Sequence, residues 1–294
     1  MRRSTSLALL LSVALAMLLP MALASAPPDT PTASSPSPSA SDRSSQRDDA
    51  GRSSPNSLPF AERVFVDNQS AKHRYRVLLP IGFQAEPNKR FPLVLFLHGA
   101  GERGDDNQAQ LKHAMAEFAS QARRSQYPCI VIAPQCPREQ QWVSVPWTDT
   151  TGNNTFPDYP SLAMNTALGI VDEWLQSGRV DKARVYVTGL SMGGYGTWFA
   201  AAHKNDWFAA AIPICGGGDP QWAARYGSLP VWAFHGSADT TVPVRRSVEM
   251  IDALKQAGHR PEPRYTEYVG VGHNAWTDTY KRDDVFEWLF SQRK

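Results

Sequence analysis

Apolar residues along this chain follow two rhythms. Short runs that are solid or alternate with period two lie near 61–67, 73–79, 92–98, 129–134, 184–190, 209–215, 230–235 and 263–269. Such runs predict strands. Longer stretches with helical spacing lie at about 107–125, 161–177, 192–203, 244–257 and 279–292. The first two strands, with Arg63-Val-Phe-Val and His73-Arg-Tyr-Arg-Val-Leu-Leu, have no helix between them. They predict an antiparallel hairpin at a sheet edge. From there on, strand and helix alternate. The fold class expected is α/β, a mostly parallel sheet with helices on both faces. Sheets of this kind gather their sites at the carboxyl ends of the strands.

The first 59 residues show neither rhythm. Met1-Arg2-Arg3 leads into an almost continuous apolar run from Leu7 to Leu19, followed by small residues at Ala22, Ala24 and Ala26. That order is a secretory signal peptide, residues 1–24, cut after Ala24 because a later cut would leave Pro27 beside the scissile bond. An uncleaved membrane anchor is the alternative, since the run is near the lower length for spanning. Residues 25–59 are rich in Ser, Pro, Ala and Asp and are expected to form a disordered linker. Residues 60–294 remain as one domain, long enough for a well-buried core. The location expected is secreted or periplasmic.

Charge adds little. Without Arg2 and Arg3 the 30 basic residues become 28, against 28 acidic ones. A neutral chain gives no electrostatic case for nucleic acid or for stable association with anionic lipid. No metal-ligand spacing such as C-x-x-C or H-E-x-x-H occurs, so neither metal nor cofactor is expected. The three cysteines, Cys129, Cys136 and Cys215, leave at least one unpaired. Cys129 and Cys136 bracket a strand and are held apart by more than roughly 20 Å. A Cys136–Cys215 bridge stays open, because both follow strands at the same sheet edge.

The candidate chemistry begins at Arg-Val-Tyr-Val-Thr-Gly-Leu-Ser-Met-Gly-Gly-Tyr-Gly, residues 184–196. A β-prone run enters Gly189-Leu190-Ser191-Met192-Gly193 and leaves as a helix, the setting of a nucleophile elbow. The sharp turn exposes the Ser191 hydroxyl and crowds the backbone on either side, so Gly189 and Gly193 carry no side chain. The helix N-terminus aims free N–H groups at a nearby anion. A phosphate-cradling loop would need glycine at 191 or Gly-Lys-Ser/Thr, and neither is present.

A serine nucleophile needs a base and an acid to orient it, and after such an elbow they follow as acid, then histidine. Pro230 to Phe234 is a short apolar strand, and the turn after His235-Gly carries Asp239. His273 sits in Gly270-Val-Gly-His-Asn, just past the strand at 263–269 and ahead of the last helix. Its position separates it from His73, His98, His113, His203, His235 and His259. His98 and His235 end strands and are expected to pack or hydrogen-bond near the site without acting as base. Upstream, Phe91-Pro-Leu-Val-Leu-Phe-Leu ends in His98-Gly99-Ala100-Gly101-Glu102-Arg103-Gly104. Small residues there let the backbone approach a substrate carbonyl. One N–H of this loop, from Gly99 or Ala100, would join that of Met192 as an oxyanion hole. The irregular segment 137–160 is a long aromatic loop of the sort that is often functional. Trp142, Trp147 and Trp276 are candidates to line an acyl or sugar pocket, packing of the loop being the alternative.

Taken together, Leu-His-Gly-Ala-Gly-Glu-Arg-Gly-Asp-Asp-Asn, Ala-Pro-Gln-Cys-Pro, the elbow, Pro-Ile-Cys-Gly-Gly-Gly-Asp, Phe-His-Gly-Ser-Ala-Asp and Gly-His-Asn-Ala-Trp resemble bacterial secreted serine esterases of the α/β-hydrolase fold. That group overlaps the polyhydroxybutyrate-depolymerase-like and feruloyl/acetylxylan-esterase-like hydrolases, with members labelled predicted peptidase, phospholipase/carboxylesterase or dienelactone hydrolase. The resemblance runs from about residue 60 to 292. Serine at the elbow argues against dienelactone hydrolase activity, which uses cysteine. The resemblance implies an esterase acting through an acyl-enzyme on small-molecule or polysaccharide-linked esters. A serine peptidase of prolyl-oligopeptidase type and a non-catalytic binding protein of the same fold are the alternatives.

Overall fold

The computed structural model describes residues 58–147 and 155–294. The expectations of a signal peptide at 1–24 and of a linker up to 57 lie outside the described residues, as does part of the 137–160 loop. Among the described residues one eight-stranded sheet forms the middle layer. Its strands are β1 (Ala61–Val66), β2 (Lys72–Leu78), β3 (Phe91–Leu97), β4 (Ile130–Pro134), β5 (Val180–Leu190), β6 (Ala210–Ile214), β7 (Trp232–Gly236) and β8 (Arg264–Tyr268). The order across the sheet is β1-β2-β4-β3-β5-β6-β7-β8. β1 and β2 form the antiparallel edge, β2 also lies antiparallel to β4, and every other pairing is parallel.

The period-two pattern sorts side chains to two separate cores. On β3, Leu93, Leu95 and Leu97 face one layer, and Val94 and Phe96 face the other. The first face is covered by α3 (Leu162–Gln176), α4 (Met192–His203) and α5 (Arg245–Gln256), through Met164, Trp198, Met250 and Leu254. The second is covered by α1 (Met115–Ala119) and α7 (Asp283–Ser291), through Met115, Phe118, Val285, Phe286 and Leu289. With helices on both faces, a central strand such as β3 is buried at all of its residues and reads as an unbroken apolar run.

Two expected helices are broken. The stretch 107–125 becomes a 3-10 turn at Ala109–Leu111, then α1, then α2 (Gln121–Gln126). Ala114 has φ 64°, and Ser120 is extended while its side chain accepts from the Arg123 N–H, capping α2. The C-terminal stretch starts earlier, as α6 (Trp276–Lys281), and breaks at the extended Arg282 before α7. A 3-10 helix at Pro220–Tyr226, capped by Asp219, is additional. All three cysteines are free, so no Cys136–Cys215 bridge exists. No helix among the described residues is long and apolar enough to cross a membrane.

The parallel topology fixes the position of the site. β3, β5, β6, β7 and β8 run the same way, so His98, Ser191, Cys215, the Asp239 turn and the His273 turn all emerge at one end of the sheet.

The second core makes a direct test. Phe286 is 2% exposed, lies 5.0 Å from the Phe118 ring, and carries the Arg123 guanidinium 4.1 Å above its face. Phe286→Ala should lower stability by about 3–5 kcal/mol, seen as a lower urea midpoint at unchanged m-value. An unchanged midpoint would mean that α7 is not part of the cooperative unit.

Candidate active site

Ser191 sits between β5 and α4 with φ 54° and ψ −119°, a conformation that non-glycine residues rarely adopt. Hydrogen bonds hold it there. Its N–H donates to Ile214 O at 2.9 Å, and its carbonyl accepts from Gly194 at 2.8 Å and Tyr195 at 3.1 Å. The flanking glycines are required by contact. A Cβ on Gly193 would lie 1.8 Å from Leu97 O, and one on Gly189 would lie 2.5 Å from both Leu97 O and Gly193 O. The elbow is thus pressed backbone to backbone against the end of β3.

The turns after β7 and β8 bring Asp239 and His273 to this serine. His273 Nε2 lies 2.8 Å from Ser191 Oγ, and Nδ1 lies 2.6 Å from Asp239 Oδ2. Because Nδ1 faces a carboxylate it carries the proton, which leaves Nε2 to accept from the serine hydroxyl. The two turns are tied together by Ser237 N–H to Tyr268 O, Ala238 N–H to Val271 O and Gly270 N–H to Ser237 Oγ. The Asp239 side chain is fully buried and the His273 side chain 21% exposed, so solvent reaches the acid only through the imidazole. Oδ1 of Asp239 accepts from the N–H groups of Thr241 and Val242. Burial by itself pushes this carboxyl up, but hydrogen bonds from His235, His273 and Val242 outweigh it and hold Asp239 well below the usual carboxylate range.

His98 organises the loop after β3. Its Nε2 accepts from the Cys136 N–H at 2.9 Å, so Nδ1 carries the proton and donates to Gly99 O at 2.7 Å. A trans peptide points its N–H opposite its carbonyl, so this bond turns the Ala100 N–H away from the His98 ring. Met192 and Ala100 N–H donate to no acceptor among the described residues. Burial pushes the His98 imidazole down to about 4 and keeps it neutral.

The three tryptophans are placed differently. Trp142 is 1% exposed and its indole N–H donates to His98 O at 2.9 Å. It packs beneath the loop and does not reach the mouth, a correction to its candidacy for substrate binding. Trp276 is 8% exposed and meets His273 edge-on at 5.1 Å between ring centres. Trp147 is half-buried under the Arg103 guanidinium, 5.9 Å from its ring centre.

Other groups in the site gave weaker signals in the sequence. Glu102 is 5% exposed and lies 3.4 Å from His113 Nε2. A Cβ on Gly99 would lie 3.0 Å from Glu102 Oε2 and 3.6 Å from Ser191 Cβ, so carboxylate and nucleophile flank the same glycine. Its signal was a glutamate directly after the small residues Gly99-Ala100-Gly101. Cys215, at φ 48°, follows β6. Donor atoms of Cys215, Asp239 and His273 lie within 4.8 Å of one another, the grouping among the described residues with metal-ligand character. Burial pushes the Cys215 thiol up to about 12, so it stays protonated at neutral pH.

This sheet topology, with serine, acid and histidine on the carboxyl-end turns after β5, β7 and β8, defines an α/β-hydrolase. Residues 83–282 match the model of the phospholipase/carboxylesterase family, and the chain belongs to that family. It is similar to a thermostable esterase of known structure, at 38% identity and TM-score 0.72, covering 80% of this chain and 64% of the other. It is also 28% identical over 171 residues to NocK of Nocardia uniformis subsp. tsuyamanensis, assigned as an esterase, covering 58% of this chain and 46% of that one. The chain therefore spans about half the length of that relative and under two-thirds of the thermostable esterase. The feruloyl esterase module of Clostridium thermocellum shares the fold at 18% identity and TM-score 0.53, covering 79% of this chain and 88% of its own.

The buried His98 makes stability depend on pH. Its folded pKa of about 4 lies below the ordinary 6.5, so in that interval the unfolded chain binds more protons. This contribution is fully present above the interval and is lost as pH falls through it. Wild type should lose about 3 kcal/mol between neutral pH and pH 4 that His98→Gln does not lose, read by urea unfolding across pH. Parallel curves for the two proteins would refute the neutral buried imidazole.

Proposed function

We propose that this chain is an exported carboxylic-ester hydrolase that works through an acyl-enzyme on Ser191. The observation that carries this reading is the unbroken line from Ser191 Oγ through His273 to Asp239, with steps of 2.8 and 2.6 Å. His273 Nε2 takes the hydroxyl proton as Oγ bonds to the ester carbonyl carbon. The ionised Asp239 stabilises the imidazolium that forms. The carbonyl oxygen becomes an oxyanion that accepts from the N–H groups of Met192 and Ala100. As the C–O bond to the alcohol breaks, His273 returns its proton to the leaving oxygen. Water then gives a proton to His273 and attacks the acyl carbon, and Ser191 leaves with that proton restored. Family membership and similarity to esterases support the reaction class. The segment from Arg2 through the apolar run to Ala24 supports export to the periplasm or beyond.

The substrate proposed is a short-chain or aromatic acyl ester, in small molecules or on polysaccharide. The fold shared with a feruloyl esterase module, whose structure holds sinapinate, supports an aromatic acyl group. Glu102 beside the nucleophile supports an alcohol rich in hydroxyl donors. With Trp142 and Trp276 both buried, the half-buried Trp147 is the one of the three tryptophans left for binding.

Ser191→Ala should reduce ester turnover by about 10⁶-fold with an unchanged thermal melt. A Ser191→Ala, His273→Ala double variant should be hardly worse than either single change, because the residues act as one unit. Retained activity in the folded Ser191→Ala protein would overturn the mechanism.

A panel of p-nitrophenyl esters, methyl ferulate, acetylated xylan and aminoacyl anilides tests the substrate. Rates should peak between acetyl and butyryl or on feruloyl. A maximum at octanoyl or longer, with a jump at an oil–water interface, or faster anilide cleavage, would defeat the proposal.

A further inference from the structure

His235 is a second imidazole beside the Asp239 oxygen that meets His273. It is the penultimate residue of β7 and is completely buried. Its Nε2 lies 3.0 Å from Val242 O and 3.2 Å from Asp239 Oδ2. Both neighbours are acceptors, so Nε2 must carry a proton. Its Nδ1 lies 2.7 Å from Ser247 Oγ on α5, and that hydroxyl also lies 3.1 Å from Gly216 O. Ser247 has one proton to give. If it goes to Nδ1, His235 is neutral. If it goes to Gly216 O, Nδ1 is protonated as well and His235 is a cation. Nε2–H faces Asp239 in either case.

We propose that His235 is a positioning residue of the triad, whose Nε2–H holds the carboxylate oxygen that receives His273 and sets the negative charge that Asp239 presents to it. This rests on the reading of Ser191, His273 and Asp239 as one catalytic unit. Oδ2 then has His273 Nδ1 at 2.6 Å and His235 Nε2 at 3.2 Å, while Oδ1 accepts from two backbone N–H groups. The carboxylate is immobilised through both oxygens. The His235 bond to it is the largest of the hydrogen bonds holding this carboxyl ionised. Through Val242, Ser247 and Gly216 the same ring ties the acid turn to α5 and to the segment after β6. A donor close to Oδ2 competes with His273 for the charge on that oxygen. Removing the donor therefore leaves Oδ2 to His273 alone and the carboxylate held less firmly. The titratable and charged groups around His235 are Asp239 on its own turn, Cys215 at the end of β6, Glu267 in register on β8, and Arg246 beside Ser247 on α5.

The experiment compares full-length wild type, His235→Leu and His235→Gln by pH profiles of kcat/KM on p-nitrophenyl acetate and by thermal melts. Gln places an amide N–H near the Nε2 position, and Leu does not. Leu should move the acid limb upward by about half a pH unit and lower kcat by roughly ten- to a hundredfold. Gln should return the limb toward wild type. Lower melts for both variants with the acid limb unmoved would assign His235 a structural role only and overturn the proposal. Should the Leu variant fail to fold, ¹⁵N-histidine spectra of wild type decide, with His235 resonances assigned by their loss in His235→Gln. The His235 Nε2 signal must be that of a protonated nitrogen throughout the active range and must shift as His273 titrates. An unprotonated Nε2, or one indifferent to His273, also overturns the proposal. An active, folded Ser191→Ala protein would instead mean that the underlying triad reading has failed.

Discussion

The contact between the Ser191 elbow and the end of β3 constrains everything else in this domain. With a hypothetical Cβ on Gly193 only 1.8 Å from Leu97 O, the start of α4 has no room for a side chain. The same closeness recurs on the other side, where a Cβ on Gly194 would lie 2.5 Å from Ile214 O and one on Gly216 2.5 Å from Gly194 C. The elbow is wedged between the ends of β3 and β6 by backbone alone. That wedge holds Ser191 at positive φ, a strain of order 1–3 kcal/mol that the surrounding hydrogen bonds over-determine. It also puts the serine hydroxyl, the Met192 N–H and the loop after β3 within one small space.

Around this point the molecule buries polar groups that a core would normally exclude, and three of them have partners that explain them. His98 links the β3 loop to Cys136 and receives the Trp142 indole at its carbonyl. Thr188 joins Ile212 O to Tyr280 beneath the nucleophile strand. Asp239 is buried and ionised, a combination that costs several kcal/mol unless donors surround the charge. Two backbone N–H groups and two imidazoles do so. In the proposed reaction, donors already in place need no reorganisation when charge moves onto His273. The acid is thus closed off from solvent, while the His273 side chain is 21% exposed.

Much of this was legible in the residues. Short runs, alternating or solid, located the eight strands among the described residues, because the pleat imposes alternation where one face is open and helices on both faces bury the central strands throughout. Chain order separated His273 from the other histidines, because parallel strands deliver successive turns to one edge. The breaks at Ala114 and Arg282 were not legible. Neither position carries glycine or proline, and local propensity alone would continue both helices. They bend because Phe118, Tyr280 and Phe286 must meet over one sheet face.

The sequence by itself determined the alternation of elements, the glycines of the elbow and the residue types of the triad, since each answers to local geometry or to order along the chain. Only the tertiary structure decided that Trp142 lies beneath the loop, that Glu102 flanks the nucleophile, and that His235 shares the oxygen of Asp239 with His273. Those facts depend on which side chains from distant strands point into the same few ångströms. No local pattern encodes that, because a tryptophan, a glutamate or a histidine at a strand end has the same spelling whether it turns toward solvent, core or site.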